Sequence, residues 1–101
     1  MIITQQEKKE IKKKIIDNLC EEKEIQKIII FGSFTNSDQP EDIDIAIIQN
    51  SNEKYLPLSL KYRKLVREIS KTIPVDIVPL NPSLKGSFIN EIQHGEIIYE
   101  R

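Results

Sequence analysis

Four short apolar runs rich in β-branched residues, separated by longer segments, constrain the fold of this chain most strongly. Each run is too short for a stable helix, and its residue types favour strands. The runs are IIIF at 28–31, IDIAII at 43–48, VDIV at 75–78 and IIY at 97–99. With the helical segments around them, they predict the order helix, strand, strand, helix, strand, helix, strand. This order indicates the α/β (α+β) class, a small mixed sheet with helices mainly on one face.

Helical patterns are found near both ends of the chain. Thr4 and Glu7 have the spacing of a capping box, in which each side chain accepts the other residue's backbone N–H. Apolar residues then recur at helical spacing, so a first helix is predicted over residues 5–21. Before the last strand, three apolar residues and a glycine at a C-terminal cap predict a short helix: Phe88, Ile89, Ile92 and Gly95.

Prolines and small polar residues predict the boundaries of the elements in between. Ser51 and Asn52 are candidate caps for the helix after the second strand, and Pro57 is acceptable in its first turn. Pro74 is expected to end that helix, and Pro79 and Pro82 are expected to close the third strand.

The size and charge of the chain narrow its class. Its 101 residues suffice for one hydrophobic core, so a single domain over residues 1–101 is expected. The net charge of −1 gives no bulk electrostatic attraction to nucleic acid, so we do not expect a nucleic-acid partner. Two helices rich in basic residues are interpreted as solvated faces. The first of these carries Lys8, Lys9, Lys12, Lys13 and Lys14.

Nothing in the sequence indicates a membrane or an oxidising compartment. No apolar run reaches the ~18 residues that a membrane span requires, and the beginning of the sequence lacks the apolar core of a signal peptide. The single cysteine, Cys20, excludes an internal disulfide. We therefore expect no membrane partner and a cytoplasmic location.

Three aspartates interrupt or precede strands that are otherwise apolar. Asp42 and Asp44 are two residues apart, so in a strand they project from the same face, about 7 Å apart along the chain. Ile43 and Ile45 then share the opposite face and are expected in the core. If the strand that holds Asp76 pairs beside this one, a third carboxylate joins the same face. Three carboxylates so close together repel one another unless a cation lies between them. Carboxylate oxygens are the ligands that Mg²⁺ prefers.

Each of these signals is weak alone and gains weight from its combination with the others. An Asp-x-Asp pair is common on exposed strand faces, and Gly32-Ser33 on its own is an ordinary turn. A strand that ends in Gly-Ser, followed after eight residues by Asp-x-Asp on a second strand and by Asp on a third, is much rarer. A glycine at such a turn lets the backbone approach a ligand, and a serine hydroxyl with successive N–H groups can hold phosphate oxygens.

This arrangement resembles the DNA polymerase β superfamily of nucleotidyltransferases, and in its small size the minimal nucleotidyltransferases of that superfamily. The segments that carry the resemblance are 28–31, Gly32-Ser33-Phe34, residues 42–46, residues 75–78, and a closing segment with Phe88, Ile92, Gly95, Ile98 and Tyr99. They cover nearly the whole chain, and the resemblance implies a polymerase β-like nucleotidyltransferase fold.

The resemblance also implies a role for each candidate residue. Asp42 and Asp44 would bind two Mg²⁺ ions that bridge the nucleotide phosphates. Asp76 would bind the catalytic ion and help to position or deprotonate the acceptor hydroxyl. Gly32 and Ser33 would hold the terminal phosphates. The implied reaction transfers a nucleoside monophosphate, AMP from ATP, and releases pyrophosphate.

Minimal nucleotidyltransferases commonly act as antitoxins beside a helical HEPN-type toxin, and some transfer AMP to a tyrosine of that partner. The loop at 34–41 has neither the Arg nor the Gly that many relatives carry there. Three alternatives stay open. This loop favours the first, a catalytically weak or inactive interaction protein. The second is a small-molecule nucleotidyltransferase, and the third is a nucleic-acid binder that uses its lysine-rich first helix.

Overall fold

The computed structural model describes residues 2–82, 92 and 94–101. The helices and strands of this part of the chain follow one another in this order: α1 Gln5–Leu19, β1 Ile25–Phe31, α2 Ser33–Asn36, β2 Ile43–Gln49, α3 Tyr55–Leu65, α4 Arg67–Ser70, β3 Val75–Leu80 and β4 Glu96–Glu100. Within the described ranges, no helix has both the length and the apolar character that crossing a bilayer requires.

The four strands form one mixed sheet in the order β3-β2-β1-β4. β1 is antiparallel to both β2 and β4, whereas β2 and β3 run parallel. The parallel pair is connected through α3 and α4, because parallel strands need a crossover between them. The predicted mixed sheet is therefore confirmed.

The main core lies between one face of this sheet and the helices. Alternate residues of the strands face this layer, so Ile28, Ile30, Ile43 and Ile45 have no exposed surface. A second, smaller cluster of buried residues consists of Ile29, Ala46 and Ile92. These residues belong to the opposite face, which we call the second face. In the part of the chain that the structure describes, α1, α2, α3 and α4 all contribute buried residues to the main core, which agrees with the prediction of helices mainly on one face.

The start of α1 confirms the predicted capping box. Oγ1 of Thr4 accepts a hydrogen bond from the backbone N–H of Glu7 at 3.1 Å, and N–H of Thr4 donates to the Glu7 carboxylate at 3.2 Å. The helix ends at Leu19, two residues before the predicted end, with Cys20 as its partly exposed C-cap.

The predicted caps of α3 were wrong. The helix begins at Tyr55 after Lys54, whose side chain makes no capping bond. The Ser51 hydroxyl and backbone N–H both donate to the side-chain carbonyl of Gln49, at 2.6 and 2.7 Å, so this serine stabilises the turn after β2. Asn52 also precedes the helix by too many residues to cap it.

Pro79 does not close the third strand as predicted, because β3 continues through it to Leu80 and ends two residues before Pro82. β3 is an edge strand, and proline is tolerated there since one side of the strand needs no ladder hydrogen bond. The predicted helix with Phe88 and Ile89 lies outside the described residues, apart from Ile92. The N–H of Gly95 donates to the carbonyl of Ile92 at 2.9 Å.

A polar cluster joins α3 to the turn that follows α1. The hydroxyl of the fully buried Tyr62 donates to the Glu24 carboxylate at 3.0 Å, and Nζ of Lys61 lies 3.1 Å from the same oxygen. Burial raises the pKa of Glu24, but the hydrogen bonds from Lys61 and Tyr62 outweigh it and the net pKa is lowered. Burial, together with the Glu24 carboxylate, raises the pKa of Tyr62.

Candidate active site

The pairing of β2 with β3 brings the three aspartates together. The parallel register places Asp44 opposite Asp76, and Asp42 precedes β2 by one residue. The N–H of Ile43 donates to the carbonyl of Pro74 at 2.9 Å, which fixes the start of β2 beside the start of β3. One carboxylate oxygen from each aspartate lies within 4.8 Å of the other two.

The alternation of β2 separates this acidic cluster from the main core. Ile43 and Ile45 are fully buried under the helices, as expected. Asp44 lies between them in sequence, so its side chain projects toward the second face. Asp42 and Asp44 are partly buried, and Asp76 on the edge strand is exposed. The cluster is therefore partly covered by protein at Asp42 and Asp44 and accessible to solvent at Asp76.

The turn after β1 lies directly against the cluster. Phe31, the last residue of β1, pairs with Asp44, so the next residue reaches the carboxylate. Gly32 has φ 79° and ψ −156°, a conformation that residues with a side chain rarely adopt. A Cβ at this position would collide with Oδ2 of Asp44 and lie 3.4 Å from its Cγ. Glycine is required here for both its dihedral angles and its lack of a side chain.

Ser33 opens the short helix α2 beside this contact and is exposed. The fully buried ring of Phe34 anchors the helix in the main core. The carbonyl of Gly32 accepts the Thr35 hydroxyl at 2.8 Å, and the carbonyl of Ser33 accepts N–H of Ser37 at 2.8 Å. The segment after Gly32 thus contains one helical turn, which begins with Ser33, next to the glycine that lies against Asp44.

One residue near this turn was misinterpreted from the sequence. Lys8 was counted among the solvated lysines of α1, but only 5% of it is exposed, and Nζ donates to the carbonyl of Ser37 at 2.6 Å. Its spacing was the signal that could have shown this, because Lys8 precedes Ile11 and Ile15 by three and seven residues on one helix face.

Comparison with known proteins gives a family. The sequence profile described as "Polymerase beta, Nucleotidyltransferase" matches residues 13–101, well over half of the chain. A comparison with the sequences of curated proteins finds no match.

Solved structures show the same fold. A complex of the tri-AMPylated Shewanella oneidensis HEPN toxin with its MNT antitoxin matches with a TM-score of 0.70 and 23% identity, over 93% of this chain and 73% of the other. A toxin–antitoxin complex with AMP-PNP matches with a TM-score of 0.68 and 23% identity, over 89% of this chain and 73% of the other.

The MntA–HepT toxin–antitoxin complex gives a TM-score of 0.67 and 22% identity, over 92% of this chain and 73% of the other. The expected polymerase β-like fold is therefore confirmed. With a profile match that spans β1 to β4 and both acidic strands, the chain belongs to the polymerase beta nucleotidyltransferase family.

Proposed function

We propose that this nucleotidyltransferase transfers AMP from ATP to an acceptor hydroxyl in a Mg²⁺-dependent reaction. Asp42, Asp44 and Asp76 hold the metal, and Gly32 and Ser33 receive the terminal phosphates. The observation that carries the proposal is the convergence of the three carboxylates against the Gly32 turn. Because the chemistry requires mainly positioning and charge neutralisation, a domain of this size is sufficient.

The three aspartates fit magnesium. They offer hard oxygen ligands within 4.8 Å of one another, and the exposure of Asp76 leaves room for phosphate oxygens and water. The three aspartates would together hold two ions. Asp42 and Asp44 would be ligands of both ions, and Asp76 would be a ligand of one. When bound, magnesium would neutralise the phosphate charge and polarise the α-phosphate.

The residues of the chain supply the remaining functions. Ser33 donates its hydroxyl to a terminal phosphate oxygen, and the absence of a side chain on Gly32 lets the phosphates approach Asp44. Asp76 accepts a hydrogen bond from the acceptor hydroxyl and orients it toward the α-phosphorus. The acceptor oxygen bonds to that phosphorus, the bond to the β-phosphate oxygen breaks, and pyrophosphate leaves with the electron pair. The hydroxyl proton passes to Asp76 and then to water.

The acceptor that we propose is a tyrosine hydroxyl of a HEPN-type partner protein. The similar solved structures support this, since one contains a tri-AMPylated HEPN toxin and another a toxin–antitoxin pair with AMP-PNP. The exposure of Asp76 on an edge strand agrees with an acceptor that belongs to a macromolecule. Because the reaction needs ATP and magnesium, we propose the cytoplasm as its compartment.

A second candidate is an antitoxin that neutralises its partner by binding alone. The observation in its favour is the loop at 34–41, which carries Asp38 and Glu41 but no Arg or Lys that would bind a triphosphate. In that case, charge removal at Asp42 and Asp44 would leave neutralisation intact.

Label transfer from ATP labelled at the α-phosphate distinguishes these functions. A lysate with the native partners is supplied with magnesium and wild-type protein, Asp44→Asn, or the control Asp17→Asn, which changes an exposed aspartate on α1. We expect one protein band that wild type and Asp17→Asn label and Asp44→Asn does not. Label on a small molecule alone would indicate a different acceptor class. Absence of both label and MgATP binding would contradict the proposal and favour the binding-only function.

A further inference from the structure

Lys8 is the one charged residue among the buried residues of the described chain, and its burial calls for an explanation. Only 5% of it is exposed, whereas the neighbouring Lys9 is exposed. Placing an ammonium group in a protein interior is costly, and a Met or Leu would fill the same place on α1 without that cost. In the described ranges no carboxylate forms an ion pair with Lys8.

Two contacts of the Lys8 ammonium lie on the segment that follows the Gly32 turn. Nζ donates to the carbonyl of Ser37 at 2.6 Å, and it lies 5.4 Å from the centroid of the Phe34 ring. Both are favourable contacts for a cation, because one is a charge-assisted hydrogen bond and the other a cation–π contact. Lys8 thus connects α1 to the beginning and the end of α2.

A second contact acts beside it. The N–H of Ile3 donates to the carbonyl of Asp38 at 2.8 Å, so the segment before α1 and α1 itself bind consecutive carbonyls after α2. Ser37 in turn donates its N–H to Ser33 at 2.8 Å. The path from the Lys8 ammonium to the serine beside the acidic cluster therefore consists of two hydrogen bonds and one helical turn.

We propose that Lys8 is a positioning residue for phosphate binding. This buried lysine fixes α2 through its ammonium group, so that Ser33 and the Gly32 turn keep their place beside Asp44. It also supplies the positive charge that the acidic 34–41 loop lacks. The role in phosphate binding rests on the nucleotide site proposed above, whereas the role in fixing α2 does not depend on it.

Hydrogen exchange of the α2 amides tests the first part. The probes are the amides of Thr35 and Ser37, which donate to Gly32 and Ser33. In Lys8→Met, which keeps most of the length of the side chain and removes its charge, we expect these two amides to exchange about tenfold faster or more, because a charged hydrogen bond is lost. The amides shared by β1 and β2 should keep their rates. The control Lys9→Met should match wild type throughout.

The dissociation constant of MgATP, measured by calorimetry, tests the second part. We expect it to rise about tenfold in Lys8→Met and to stay unchanged in Lys9→Met. Lys8→Gln, which shortens the side chain and makes its end neutral, should show both effects and serves if the Met variant does not fold.

Three results would overturn the proposal. Unchanged exchange at Thr35 and Ser37 would show that Lys8 does not fix α2. Faster exchange throughout β1 and β2 would show a general contribution to stability. Local loosening with unchanged MgATP affinity would exclude a role in phosphate binding. If wild type itself binds no MgATP, the proposed function fails, and the exchange rates still decide whether Lys8 fixes α2.

Discussion

The carboxylate of Asp44 occupies the space in which a side chain on Gly32 would begin, and this contact joins the turn after β1 to the acidic cluster. Gly32→Ala would introduce a Cβ into that carboxylate at a φ of 79°, so Asp44 must move or the turn must open. We expect nucleotidyl transfer to fall by about a hundredfold or more, because displacement of a positioning group by about 1 Å has that effect. The rate of label transfer under saturating acceptor measures it. Wild-type rates in the Gly32→Ala variant would show that the contact is unimportant for catalysis.

Gly95→Ala should affect stability instead. A Cβ at Gly95 would lie 2.6 Å from the backbone carbonyl oxygen of Ile30 and 2.9 Å from Cγ2 of Ile29. Because backbone of the central strand cannot move aside cheaply, we expect the free energy of unfolding to fall by about 1–3 kcal/mol. Urea denaturation followed by circular dichroism measures this change. An unchanged midpoint would mean that the chain before β4 shifts without cost.

Magnesium should stabilise the folded protein through the aspartate cluster. A ligand that binds only the folded state raises stability by RT ln(1 + [L]/Kd), about 2.7 kcal/mol at a hundredfold excess over Kd. We expect the melting temperature of wild type to rise with Mg²⁺ and to return after chelation. In Asp44→Asn the rise should be lost, and in Asp17→Asn it should persist. A rise of equal size in all three proteins would indicate ion binding elsewhere.

The cluster of Glu24, Lys61 and Tyr62 predicts how stability depends on pH. The lowered pKa of Glu24 means that its contribution is complete above the usual value of 4.5 and is lost as the pH falls through the folded-state pKa. Glu24→Gln should therefore make the free energy of unfolding less sensitive to pH between about 3 and 6. Urea titrations at several pH values in this range measure the slope, with Glu21→Gln as an exposed control.

At alkaline pH, the raised pKa of Tyr62 makes the free energy of unfolding fall as the pH rises. Its contribution is present below the usual value of 10 and is lost as the pH rises, because the unfolded chain ionises its tyrosine first. Tyr62→Phe should lower stability at neutral pH by about 1 kcal/mol and flatten the decline above about pH 10. The exposed Tyr55 offers a matched Tyr55→Phe control. Equal slopes for all three proteins would contradict this assignment.

The sequence predicted the position of the acidic cluster because strands alternate regularly. Asp42 and Asp44 had to share a face if Ile43 and Ile45 entered the core, and the structure shows that they do. The sequence did not predict that the strand with Asp76 pairs beside β2. Long-range packing decides which strands are neighbours, and the local residue pattern carries no information about that choice. The parallel register of β2 and β3 supplies the missing fact.

Other details escaped the sequence for local reasons. The Ser51 side chain had two competing uses, a helix cap and a bond to Gln49, and propensity does not decide between them. Pro79 predicts a strand end unless the strand is known to lie at an edge. Lys8 was classed by its charge although its spacing matched the apolar face of α1, and the carbonyl of Ser37 that receives it is 29 residues away.

The alternation of isoleucine and aspartate on β2 has a consequence for folding. Sliding this strand by one residue against β1 would exchange its faces, exposing Ile43 and Ile45 and driving the Asp44 carboxylate into the apolar layer. Such a slipped state would lose the burial of two large side chains and gain an uncompensated charge. The hydrophobic free energy that selects the native pairing is thus the same free energy that forces mutually repelling carboxylates together. Folding into the native strand register therefore also brings Asp42 and Asp44 onto one face of β2.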